Sequence, residues 1–214
     1  MTVAAVVVAA GRGVRFGGFK QFSSLGDETV AARSVRAARS VAHFVVLVVP
    51  QEYRGAAEGA DVVVSGGDTR AASVRAGLAA LPPCDVVVVH DAARPLATGQ
   101  LFSRVVDAVV GGADAAIPGL SITDTVKRTT LGQGERRVVA TVDRSDLVTV
   151  QTPQAFRREV LARAHGTLGD ATDDAALVET MGATVVVVPG EITNIKITEP
   201  GDLGRITGAL EQLS

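Results

Sequence analysis

Valine-rich apolar runs recur along this chain at residues 3–9, 44–49, 62–64, 86–89, 113–118 and 185–188. Within each run the apolar residues are continuous rather than alternating, the pattern of strands covered on both faces in a parallel sheet. Residues 30–40, 72–81 and 100–110 read as helices between them. Strand–helix alternation predicts an α/β fold, a doubly wound and mostly parallel sheet with right-handed crossovers. Residues 121–149 break the rhythm, being polar, β-branched and charged, with Gly132-Gln133-Gly134 at their centre. Residues 126–129 and 138–142 flank that turn and predict a hairpin. Two readings of it stay open: a plain surface hairpin, or a protruding arm that pairs two subunits. The absence of repeats, linkers and low-complexity tracts predicts one domain over 1–214, with 121–149 inside it.

The first ten residues are apolar enough to suggest a signal peptide. They lack a positive leading region and run straight into a glycine loop, so they read as a strand. No apolar run approaches the roughly 20 residues that cross a bilayer. A soluble, cytoplasmic protein is expected.

Composition narrows the partners. Of 214 residues, 47% are apolar, enough for a sizeable core. Lys and Arg number 21 against 23 Asp and Glu, a net charge of −2, without the basic excess of a polynucleotide binder. No nucleic-acid partner is expected, while local cationic sites for a small anion remain open. With no Trp and one Tyr, a bound base would rest on backbone and small polar groups rather than stacked rings. Cys84 stands alone, which excludes an internal disulfide and a multi-cysteine metal site.

The chemistry begins after the first strand, in Ala9-Ala10-Gly11-Arg12-Gly13-Val14-Arg15-Phe16-Gly17-Gly18-Phe19-Lys20. Glycines let backbone N–H groups approach a phosphate closely. A dinucleotide pattern G-x-G-x-x-G starting at Gly11 meets Phe16 at its third glycine. It also lacks the acid about 20 positions on, where Val30, Ala31, Ala32 and Arg33 stand. A P-loop starting at Gly13 is broken by Phe19 before Lys20, and Gln21 takes the place of its hydroxyl residue. What remains is a long loop carrying two cations, Arg15 and Lys20. A triphosphate brings about four negative charges, so two cations plus a metal ion match it. The loop's place at the carboxyl end of a strand is where open α/β sheets bind ligands. A glycine loop with solvated charges is the plainer alternative.

Ala9-Ala10-Gly11-x-Gly13-x-Arg15 followed by Lys20-Gln21 resembles the opening of the sugar nucleotidyltransferases, and more narrowly of the 2-C-methyl-D-erythritol 4-phosphate cytidylyltransferase family. Further matches follow in order. They are Gly66-Gly67-Asp68-x-Arg70-x-x-Ser73-Val74-x-x-Gly77-Leu78, His90-Asp91-Ala92-Ala93-Arg94-Pro95 and Asp124-Thr125-Val126-Lys127-Arg128. Thr141-Val142-Asp143-Arg144, Gln151-Thr152-Pro153-Gln154-x-Phe156, Thr172-Asp173-Asp174 and Asn194-Ile195-Lys196-Ile197-Thr198 complete the set. Phe19 stands where the family usually has Pro, and Ala140 and Val148 replace its common Glu and Trp.

The resemblance implies a Rossmann-like sheet of the nucleotide-diphospho-sugar transferase type. It also implies attack of an acceptor phosphate on the α-phosphorus of CTP, with loss of pyrophosphate. Positioning and positive potential carry such a transfer. By the same resemblance, Arg15, Lys20, Arg144 and Lys196 are the catalytic set. Ala9, Ala10, Gly11, Gly13, Gly66, Gly67, Asp68, Ser73 and Asp91 hold CTP. Asp91, Arg94, Thr125, Arg144, Thr152, Thr172 and Lys196 hold the acceptor, with Arg144, Thr125 and Thr152 completing the neighbour's site in a homodimer. Mg2+ is the expected cofactor, held mostly by the CTP phosphates and at most by Asp91 from the protein.

Plainer roles stand beside these. Asp68 or Ser73 serves equally as a helix cap, Asp91 as a turn residue and Thr172 as a cap. His90, ending a buried strand, reads as a packing residue. Lys196 reads as a cation within an apolar strand. Lys127, Arg128, Arg136 and Arg137 read as solvated arm charges. The rival functions are a cytidylyltransferase for another polyol phosphate such as ribitol 5-phosphate, an NAD-dependent dehydrogenase, and a silent nucleotide-binding module.

Overall fold

The structure, a computed structural model, describes residues 1–13, 15–132, 134–167 and 173–213. Its elements run β1 (Val3–Val8), β2 (Ser24–Leu25), β3 (Glu28–Thr29), α1 (Val30–Ala38), β4 (Phe44–Val49), β5 (Val62–Ser65), α2 (Arg70–Ala79), β6 (Val86–Asp91) and α3 (Gly99–Val110). There follow β7 (Ala115–Ser121), β8 (Val126–Leu131), β9 (Arg136–Val142), β10 (Val148–Val150), β11 (Gln154–Arg157), α4 (Arg158–Thr167), α5 (Asp174–Glu179), β12 (Val185–Pro189) and α6 (Pro200–Leu213).

The main sheet pairs β5 with β4, β4 with β1 and β1 with β6, all parallel. The expected mostly parallel α/β sheet is therefore present. Two strands depart from it: β11 lies antiparallel between β6 and β7, and β10 is antiparallel to β7, while β12 runs parallel to β7.

The valine runs are continuous because both faces are covered. Along β1, Val3, Ala5 and Val7 pack with Val35 of α1 and Leu101, Phe102 and Val105 of α3. Ala4 and Val6 point the other way, into a cluster with Val74 of α2, Leu161 of α4 and Leu177 of α5. A strand's period of two thus feeds two apolar layers. Three helices start at threonine caps. The side chains of Thr29, Thr69 and Thr98 accept from the N–H groups of Ala32, Ala72 and Leu101, satisfying donors that the first turn leaves free.

The hairpin of 121–149 is present, with β8 and β9 pairing only with each other among the described strands. Leu131, Val138 and Val139 on it are 78%, 63% and 60% exposed. Among the described residues no helix is long and apolar enough to cross a membrane.

Candidate active site

The carboxyl ends of β1, β4, β5 and β6 open into one cavity of about 710 Å³. Its walls are residues 8–12, 20–21, 50–52, 66–70, 73, 91–93 and 196. That volume suits a small ligand, at the rim where such sheets bind them.

The glycine loop folds on itself. The Gly13 carbonyl accepts from the N–H groups of Phe16 at 2.8 Å and Gly17 at 2.9 Å. Gly13 has φ +59°, and a Cβ there would lie 1.9 Å from the Gly18 carbonyl oxygen, so the turn excludes any side chain. Buried Gln21 donates through Nε2 to the carbonyls of Ala9 at 2.6 Å and Gly11 at 3.0 Å, tying the loop's end to its start. Lys20 Nζ donates to the Ile197 carbonyl. Burial lowers the Lys20 ammonium from its ordinary value, and the Lys196 and Arg15 cations push it the same way.

The turn after β5 forms the facing wall. Ser73 Oγ accepts from the Gly67 N–H at 3.2 Å and donates to the Thr69 carbonyl at 3.0 Å. Because Thr69 caps α2, neither Asp68 nor Ser73 is spent as the cap. A Cβ on Gly66 would lie 2.4 Å from that of Ala10, so only glycine lets this turn meet the first loop so closely.

Asp91, buried at the end of β6, is the charged hub. Its Oδ2 accepts from Lys196 Nζ at 2.6 Å and its Oδ1 from Arg70 Nε at 3.3 Å. Burial alone would raise this carboxyl, but Arg70, Lys196 and Arg94 outweigh it and hold it well below the carboxylate range. Arg70 also donates from Nη1 to Asp174 Oδ2 at 2.6 Å, and Asp174 Oδ1 meets His165 Nε2 at 2.9 Å. Behind the hub, the Asp91 N–H donates to Thr152 Oγ1 at 3.0 Å. His90 Nε2 lies 3.2 Å from the Arg94 carbonyl. A carbonyl can only accept, so Nε2 carries the proton, and Nδ1 accepts from the Thr152 hydroxyl at 3.2 Å. Full burial lowers His90 to about 4, keeping it neutral in this role.

The expected residues divide into groups. Ala9, Ala10, Gly11, Lys20, Gly66, Gly67, Asp68, Ser73, Asp91 and Lys196 share the cavity. Gly13 and Arg15 stand in the loop beside it, and Arg94 stands behind, donating to the Asn194 carbonyl at 2.8 Å. Thr125 and Arg144 are exposed on the arm, away from the cavity of their own chain. Thr172 falls outside the described residues, and the cap of α5 is Asp173.

Thr152 is buried and bonded to its own chain's Asp91 and His90. One expectation is corrected. Lys196 lies on an irregular segment rather than in a strand. Asn194 and Gln151 hold that segment: Asn194 Nδ2 donates to the Thr152 carbonyl at 2.9 Å and Gln151 Nε2 to the Glu191 carbonyl at 2.8 Å.

Arg12, Arg70, Gln51 and Glu52 line the cavity without having been assigned there. Arg70 stands two residues after Asp68 in a noted motif, but its partners lie 21 and 104 residues away. Among the described residues no group of three or more His, Cys, Asp or Glu is placed to hold a metal. Both Asp91 oxygens are taken by cations, so the side chains of this rim do not fit a protein-ligated metal ion.

Lys20, Lys196 and Arg70 thus gather around Asp91 at one rim of the sheet, and the fold that carries them is that of the nucleotide-sugar transferases. The model of one family, IspD: 2-C-methyl-D-erythritol 4-phosphate cytidylyltransferase, matches residues 3–212, and the chain belongs to that family. It is 47% identical to the 2-C-methyl-D-erythritol 4-phosphate cytidylyltransferase of Streptomyces coelicolor over 94% of this chain and 82% of that one. It is 46% identical to the bifunctional enzyme IspD/IspF of Anaeromyxobacter sp., covering 98% of this chain but 57% of that one. The crystal structure of the Thermus thermophilus cytidylyltransferase superposes with TM-score 0.81 at 34% identity, covering 99% of this chain and all of that one.

Proposed function

We propose that this chain transfers CMP from CTP to 2-C-methyl-D-erythritol 4-phosphate, giving 4-diphosphocytidyl-2-C-methyl-D-erythritol and pyrophosphate on the non-mevalonate route to isoprenoid precursors. An acceptor phosphate oxygen attacks the α-phosphorus, and the bond to the β-phosphate breaks. Lys20 and Arg15 stabilise charge on the α-phosphate and leaving pyrophosphate. Lys196 and Asp91 hold the reacting groups at the rim, and Arg94 and Thr172 serve the acceptor. The turn at Gly66, Gly67, Asp68 and Ser73 reads the cytidine, with Ala9 to Gly13 under the phosphates. The divalent cation, Mg2+, enters as part of the nucleotide substrate, on the triphosphate oxygens. The chain acts as a single catalytic domain in the cytoplasm. Its arm, 121–149, reaches across a two-fold axis in a homodimer, so that Thr125 and Arg144 complete the neighbouring site. Exposed Leu131, Val138 and Val139 on an unsupported hairpin favour that arrangement.

The observation that carries the reading is the convergence of Lys20, Lys196 and Arg70 with the glycine loop on one cavity. Pyrophosphate release, assayed with each nucleoside triphosphate against a panel of polyol phosphates, tests it. CTP with methylerythritol phosphate is expected to give the highest kcat/KM. A higher value with ribitol 5-phosphate, or with another nucleotide, overturns it.

A further inference from the structure

Phe19, just before Lys20, and Phe22, two residues after it, both set their rings against the same tyrosine. The Phe19 and Tyr53 ring centroids are 4.9 Å apart at 60°, an edge contact, and those of Phe22 and Tyr53 are 4.1 Å apart at 11°, a stack. Tyr53 closes the 3-10 turn Gln51–Tyr53 after β4. Immediately before it, Pro50, Gln51 and Glu52 line the cavity, as Lys20 and Gln21 do. The three rings therefore fasten two walls of the cavity to each other, next to the lysine that faces into it.

The loop needs such a fastening. Gly11, Gly13, Gly17 and Gly18 give its backbone little stiffness of its own, and the lysine stem adds four rotatable carbons. Its geometry must then come from where its side chains are gripped. Phe16 is gripped on one side, packing with Leu25, Val30, Ile197 and Ile206. The same Ile197 offers its carbonyl to Lys20 Nζ. Phe19 and Phe22 are gripped on the other side by Tyr53. The Phe19–Tyr53 edge contact has a geometry that aromatic quadrupoles favour beyond mere burial, and Phe22 adds apolar contact flat against the same ring.

We propose that Tyr53 is a positioning residue for cytidylyl transfer: clasped by Phe19 and Phe22, it sets where the Lys20 ammonium stands against the nucleotide's phosphates. This rests on the reading that CTP occupies the cavity.

The test is steady-state pyrophosphate release by full-length enzyme with CTP varied and methylerythritol phosphate saturating. The variants are Tyr53→Leu, Tyr53→Phe, Lys20→Ala and the Lys20→Ala/Tyr53→Leu pair, each checked for a cooperative melting transition. Tyr53→Leu is expected to lower kcat/KM for CTP about tenfold and to leave KM for the acceptor unchanged. Tyr53→Phe keeps the ring and rescues the rate. In the Lys20→Ala background, Tyr53→Leu adds no further loss, because residues acting through one group are not additive. The clasp is overturned if Tyr53→Leu matches wild type, or if its loss repeats in full without Lys20. Wild-type enzyme that releases no pyrophosphate from CTP overturns the functional reading and the clasp with it. A fully active Tyr53→Leu enzyme overturns the clasp alone.

Discussion

Around the cavity, Ser73 holds Gly67, Gln21 holds Ala9 and Gly11, and Thr152 holds Asp91. On the arm, Leu131, Val138 and Val139 face outward and Arg144 donates to the Thr123 carbonyl beside it. The first region is finished within one chain, and its polar atoms are fixed before any ligand arrives. The second is a two-stranded hairpin of a kind that is marginal alone. Fixed donors suit the step where charge develops, since they need no rearrangement as it forms. An unsupported arm suits the proposed delivery of Arg144 to a second subunit.

Changes on the two sides should therefore behave differently. The largest effect is expected from Lys20→Ala, which should lower kcat by about 10²–10³-fold while part of the CTP binding survives. Single-turnover kinetics with titrated CTP separates the two, and a near wild-type kcat removes Lys20 from its role. Arg144→Ala should cost comparable activity, yet leave the melting transition in place. If the arm serves the neighbour, mixing Lys20→Ala with Arg144→Ala subunits creates dimers with one intact site. Activity should then recover to about a quarter of wild type. No recovery on mixing would mean that each chain completes its own site.

Arg70 should act on both activity and stability. Arg70→Met leaves Asp174, 1% exposed, with His165 and without its arginine. The expected cost is about 3 kcal/mol of stability, read from the urea midpoint. An unchanged midpoint would mean the pair contributes nothing.

A fourth expectation concerns pH. His90 is neutral when folded, at about 4 against an ordinary 6.5, so the unfolded chain binds the extra proton first. Stability is full above pH 6.5 and falls by about 3 kcal/mol as pH drops toward 4. Asp91 is also depressed, but its contribution is lost only below its ordinary 3.8, so the window between belongs to His90. His90→Gln should flatten that window in denaturation curves taken across it.

The smallest effect concerns Lys20 itself. Its lowered value puts the alkaline limb of kcat/KM for CTP below 10.5. A bound triphosphate supplies the anion that offsets Lys196 and Arg15, so the limb in kcat should lie at higher pH. Coincident limbs would assign that ionisation to another group.

Much of this was legible in the chain. Valine runs give strands because β-branched residues suit a pleat and have nowhere to go but between two covered faces. The glycine loop after β1 and the turn after β5 were legible because Gly13 and Gly66 sit where a side chain has no room. Strand β11 was not. Gln-Ala-Phe-Arg carries no alternation and no valine, and it is a strand because β6 and β7 offer it two edges. The consequence of Phe19 in place of proline was equally hidden. It became visible only when its ring was found against Tyr53, 34 positions on.

Residue order by itself determined the strand–helix alternation, the glycine-rich loop and the family to which the chain belongs. Those depend on local periodicity and on residues close together in sequence. Tertiary structure alone decided that Asp91 would be held between Arg70 and Lys196, and that the Thr152 hydroxyl would meet its backbone N–H. Charges separated by 21 and 105 residues interact only after the sheet has brought its carboxyl ends to one rim. Burial, which sets how strongly they interact, is a property of the assembled core.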